Sequence, residues 1–209
     1  MTTEEQHHIF SIILFDCREE GVPAKILASS QNMSPVSFWY RNAASQLVVA
    51  SSREILKTCF PGAAFYTPFK NDFVDMCMTY NVSHRGLGVV IVTDGKYPQR
   101  VLWSLARKIE ATFLETHDIE AMGPTVEDVR VPWPWLDQTL TKYKKPSEAD
   151  ALMKMQKDLA ETKEVMLQSI SLLLERGVKL EQLLDSSTDL SESTRVFAKA
   201  TKRGCCPLL

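Results

Sequence analysis

Apolar positions along this chain follow two different rules before and after residue 144. In the first part, "HIFSIILFD" (8–16) and "AKILASS" (24–30) are short apolar runs joined by the turn-like "REEGVP", and the pattern predicts two strands. "SPVSFWYRNAASQLVVASSREILKTC" (34–59) then offers Ser34 as an N-cap and Pro35 in a first turn, which predicts a helix beginning there. Three further strands are predicted at "FYTPFK", "DFVDMCMTYN" and "GLGVVIVTD". In the last, Val89 to Val92 run without alternation, as in a strand covered on both faces. Leu102, Leu105, Ile109 and Phe113 then recur at helical intervals, the connector "AMGPTVEDVRVPWP" follows, and "WLDQTLTKY" reads as a short helix. Strand, strand, helix, three strands, helix, short helix is an α+β order. It predicts a five-stranded antiparallel sheet with helices on its faces.

The spacing changes again at "KYKKPSEAD", where Pro146 breaks the pattern and Ser147 with Asp150 resembles a capping box. From there to Arg203 the chain has no proline, and Gly177 is its one glycine. At 1.5 Å per residue such a helix would run roughly 80 Å, too long for the preceding domain to enclose. Steps of three and four from Leu152 give Leu152, Met155, Leu159, Thr162, Met166, Ser169, Leu173, Arg176, Leu180, Leu183, Ser187, Leu190, Thr194, Phe197, Thr201 and Gly204. This heptad seam predicts a coiled-coil segment that needs partner helices along its length. The hydroxyl positions suit a crowded bundle better than a two-stranded dimer.

Arg176 is the one charged residue on that seam, between Leu173 and Leu180. A guanidinium buried among leucines is stable only if its five donors find acceptors. A single polar residue at a seam position is a known device for fixing register. Alternatively, the side chain snorkels out of a loose seam.

Charge and composition narrow the function. A formal charge of −2 offers no field to attract nucleic acid. No apolar run of about 18 residues is present, and "MTTEEQHHIF" lacks the order of a secretory signal, so a cytosolic location is expected. Cys17, Cys59 and Cys77 are isolated and read as small buried apolar residues. His7, His8, His84 and His117 have no metal-ligand spacing, and no nucleophile set is apparent. A prenylated GTPase fails too: Tyr97 follows Gly95-Lys96, no glycine stands five residues earlier, and no NKxD occurs. The expectation is a non-enzyme with no cofactor or metal.

The last residues, "KATKRGCCPLL", contain Cys206-Pro207-Leu208-Leu209, which fits a CaaX box whose leucine favours a geranylgeranyl group. Stable anchoring takes two lipid chains, so a prenyl group on Cys206 with a second lipid, such as palmitate, on Cys205 is expected.

The segment "LMKMQKDLAETKEVMLQSISLLLERGVKLEQLLDSSTDLSESTRVFAKATKR" resembles the SNARE motif of an arginine-type SNARE, a synaptobrevin relative. That resemblance implies a parallel four-helix bundle in which Arg176 meets one glutamine from each of three partner helices. The seam residues Leu152, Met155, Leu159, Met166, Leu173, Leu180, Leu183, Leu190 and Phe197 would fill its other layers. "LGVVIVTDGKYPQRVLWSLARKIEATF" and "WLDQTLTKYKKPSEAD" are similar to the end of a longin domain, a profilin-like α+β fold, in the members with a prenylated double-cysteine end.

The organisation so implied is a longin domain over 1–144, a SNARE coiled-coil motif over 145–204 and a lipidated tail over 205–209. The family implies ER to Golgi and other vesicle transport, on the cytosolic face of Golgi, endosomal or vesicle membranes, with a cytosolic pool in which the longin domain folds back on the SNARE helix and shelters the lipid. A groove for this would draw on Phe38, Trp39, Phe65 and Phe69, which read equally as plain core. A longin-like adaptor or scaffold that dimerises through its coiled coil is the alternative.

Overall fold

The first strand of the chain pairs with the last one, and that pairing places the core. In the computed structural model, which describes residues 8–19, 21–70, 75–124, 127–144, 190–192 and 194–195, the elements follow the expected order. They are β1 (Ile9–Asp16), β2 (Lys25–Gln31), a 3-10 turn (Phe38–Tyr40), α1 (Arg41–Leu56), β3 (Ala64–Lys70), β4 (Asp75–Val82) and β5 (Leu87–Asp94). After these come α2 (Gln99–Thr116), α3 (Ile119–Met122) and α4 (Pro134–Lys142). The sheet order is β2-β1-β5-β4-β3, with every neighbouring pair antiparallel. This is the five-stranded antiparallel longin-type architecture expected from the pattern.

β5 is central, and Val89, Val90, Ile91 and Val92 are all buried. Alternate residues of the sheet feed two separate cores, because successive side chains point to opposite faces. Val89 and Ile91 join Ile12, Leu14 and Leu27 beneath α2 and α4. Val90 and Val92 join Ile13, Phe15, Tyr80 and Phe65 beneath α1. In α2, Leu102, Leu105, Ile109 and Phe113 all have zero exposure, the stripe their spacing predicted. Gly88 on β5 has no room for a side chain, since a Cβ there would lie 2.8 Å from Cys17 Sγ.

Two details differ from the sequence reading. The helix begins at Arg41 rather than Ser34. Ser34 spends its hydroxyl and its N–H on Asn32 Oδ1, so it closes a turn instead of capping a helix. Val36 N–H donates to Met33 O, and both side chains are buried, which draws residues 33–36 into the core as a turn. The connector is also more than a link. Val129 and Arg130 N–H donate to Ile26 O, and Val131 N–H to Leu27 O, covering part of the β2 edge. Asp128 fastens this segment: it accepts from Ile26 N–H at 2.9 Å and pairs with Arg53 of α1 at 2.5 Å.

Candidate functional site

Helix α1 lies on the sheet through Val48, Val49 and Leu56, and such a helix normally leaves its opposite face to solvent. Here the opposite face is covered as well: Leu47, Ala50 and Ser51, on the far side of the helix from Val49 and Leu56, are 5%, 2% and 5% exposed. Beside that stripe, half-buried Gln46 holds a piece of the C-terminal segment. Its Oε1 accepts from Ser191 N–H and from Thr194 Oγ1, each at 2.9 Å. Its amide nitrogen donates to Asn42 Oδ1 one turn back at 3.4 Å, an arrangement that turns the oxygen toward residues 190–195.

The docked segment is locally ordered by its own sequence. Ser191 Oγ lies 2.9 Å from Thr194 Oγ1 and accepts from Thr194 N–H at 3.4 Å, while Arg195 N–H donates to Ser191 O at 3.0 Å. Ser191 is therefore the N-cap of a helical turn. Leu190 is 5% exposed and Thr194 1%. Both are positions of the three-four seam, so two seam side chains are buried while their segment is held on the N-terminal domain.

The other candidate residues are placed as follows. Phe65 is core, stacked on Tyr80 with ring centroids 4.7 Å apart. Phe38 and Trp39 stand on the surface of the 3-10 turn at 72% and 83% exposure. Phe69 is placed by its backbone alone, in β3 opposite Met76. The structure thus separates Phe65 from the Phe38–Trp39 pair. Arg176, Cys205, Cys206 and the seam residues Leu152, Met155, Leu159, Met166, Leu173, Leu180, Leu183 and Phe197 lie outside the described residues. Gln46 carries no sequence signal of its role. It is one polar residue on a helix, and only the fold brings it against residue 191.

A concavity of about 250 Å³ is lined by Cys17, Cys59, Leu56, Lys57, His84 and Arg85 among others. Burial pushes both thiols up to about 12, with Cys59 further opposing ionisation of Cys17. At neutral pH they stay protonated and are poor nucleophiles. Among the described residues there is no cluster of metal-ligating side chains, and no helix is long and apolar enough to cross a membrane.

Comparison with known proteins gives the family. Residues 151–204 match the Synaptobrevin family. The VAMP-like protein YKT61 of Arabidopsis thaliana is 30% identical over 203 residues, covering 96% of this chain and 99% of that protein. The Synaptobrevin homolog YKT6 of Debaryomyces hansenii is 33% identical over 192 residues, with 90% and 94% covered. The Saccharomyces cerevisiae homolog is 29% identical over 197 residues, with 92% and 96% covered. A longin-type sheet, a C-terminal synaptobrevin segment and full-length likeness to these proteins together mean that the chain belongs to the synaptobrevin family, among its YKT6 homologues, with a non-enzymatic, SNARE-type role in vesicle trafficking.

Proposed function

We propose that this chain is an arginine SNARE whose helix, about residues 147–203, zippers with three glutamine SNARE helices into a parallel four-helix bundle, and that its longin domain restrains that helix in a closed form. Arg176 sets the alignment. Three amide oxygens satisfy its guanidinium without a second buried charge, whereas a shifted bundle strands it against leucine. Apolar burial along the seam supplies most of the assembly free energy. A prenyl group on Cys206 and a second lipid on Cys205 hold the protein to the cytosolic face of Golgi, endosomal or vesicle membranes.

The observation that carries this reading is the burial of Leu190 and Thr194 beside Gln46. A seam side chain occupied by the longin domain is unavailable to a bundle, so closing and zippering compete for one surface. Mixing the purified chain with three candidate glutamine SNAREs tests it: a stoichiometric complex with one copy of each helix is expected, and failure to form one with any combination overturns the reading. In the same assay Arg176→Leu should leave the bundle stable while relaxing its choice of partner. Changing Cys205 and Cys206 to serine should move the protein wholly into the soluble fraction.

A further inference from the structure

The turn between β2 and α1 presents an unusual surface. Phe38 and Trp39 project from it side by side, their rings in edge-to-face contact with centroids 5.7 Å apart. Large apolar side chains this exposed lose hydrophobic free energy unless something covers them. They are not on a loose loop. Met33 and Val36, 8% and 4% exposed, anchor the turn from below. The Arg41 guanidinium ties it from the side, donating to Val36 O and Ser34 O at 3.0 Å each, and lies 5.8 Å from the centre of the Phe38 ring. The rings are held outward by the fold.

The surroundings select the kind of partner. From Gly21 to Arg53 the sequence has no aspartate or glutamate, and Arg41 is the cation placed beside the rings. Around the two rings the exposed residues are Ser34, Pro35, Ser37 and Asn42, which are small and uncharged. Arg41 bonds to backbone carbonyls and, among the described residues, to no carboxylate, so its positive charge stands beside the rings. Aromatic rings next to a cation that, among the described residues, pairs with no carboxylate complement the interfacial zone of a bilayer carrying anionic headgroups. A protein hot spot would also use Trp and Arg, but such an anchor fits between well-packed surfaces, whereas these two rings protrude at the tip of a turn.

We propose that the Phe38–Trp39 turn, with Arg41 beside it, is a membrane-contact wedge that seats its two rings in the interfacial region of an anionic bilayer. The contact is made by the longin domain itself and does not depend on the lipid anchor. It gives the domain a fixed orientation on the membrane, with the start of α1 facing the lipid.

The test uses the full chain with Cys205 and Cys206 changed to serine, floated with vesicles of phosphatidylcholine alone or with phosphatidylserine. The chain should float with the mixed vesicles. The double variant Phe38→Ser, Trp39→Ser should lower the partition coefficient roughly tenfold or more, since it removes two rings from the lipid. Arg41→Gln should abolish the gain due to phosphatidylserine. The double ring variant and Trp39→Phe should keep the parent's melting temperature, because both rings are exposed. Brominated lipid should quench tryptophan emission in the parent and not in Trp39→Phe, which locates the ring. Absence of flotation on either vesicle, or equal flotation of the double variant, overturns the proposal. So does a double variant that floats normally but no longer assembles with glutamine SNAREs, an outcome that makes the tip a protein contact.

Discussion

Gln46→Ala tests the closed form most directly. The substitution removes one acceptor and with it two hydrogen bonds, from Ser191 N–H and Thr194 Oγ1. Each contributes about 0.5–1.5 kcal/mol net. Gln46 is half-exposed, so the lower part of that range applies and the pair stabilises docking by about 1–2 kcal/mol. That corresponds to a factor of roughly 5–30 in the ratio of released to docked segment. Hydrogen exchange read by mass spectrometry is the assay. The peptide carrying residues 190–195 should exchange faster by that factor, while peptides from β1 and β5 stay unchanged. Assembly with glutamine SNAREs should accelerate in parallel, since release precedes zippering. Gln46→Glu is the control. A carboxylate keeps acceptors for both donors, and Asn42 can turn its amide nitrogen to the second oxygen in place of the lost Gln46 donor, so protection should persist. Unchanged exchange in Gln46→Ala, or a glutamate variant that behaves like alanine, would refute the account.

Other predictions concern the scaffold. Asp128→Ala breaks the pairing with Arg53 and leaves Ile26 N–H without its acceptor, so urea unfolding should show a loss of about 2–3 kcal/mol; a change under about 0.5 kcal/mol would deny the connector its role. Phe113→Ala empties a fully buried site beneath α2, and the same titration should show a loss of about 3–5 kcal/mol. Stability should also fall in alkali. Burial raises the Cys17 and Cys59 thiols to about 12 from an ordinary 9.0, so the unfolded chain gives up these protons first. Their contribution is complete below pH 9.0 and is lost between 9.0 and about 12, and changing both to serine should flatten the decline in a pH series of thermal melts.

Local periodicity was enough to specify the two-sided sheet. The unbroken Val89–Val92 run marked the strand buried on both faces, and the Leu102–Phe113 stripe marked the helix that covers one of them. These signals survive because burial of a repeating face is a property of the element itself. The heptad seam, Arg176 within it, and the paired cysteines are likewise written in spacing and residue type alone, before any fold is consulted. Three things were decided only by the tertiary structure. The start of α1 moved to Arg41 because Asn32 captured the Ser34 hydroxyl and Met33 and Val36 sank into the core, a choice between two local bonds that long-range packing settled. The connector became an edge cover because Asp128 meets Arg53 and Ile26, residues 75 and 102 positions away. Gln46 became the grip on residues 191 and 194, about 145 positions along the chain. A pairing across such distances leaves no period in the sequence, since each partner is an ordinary polar residue in its own neighbourhood and only the folded chain brings donor and acceptor within reach.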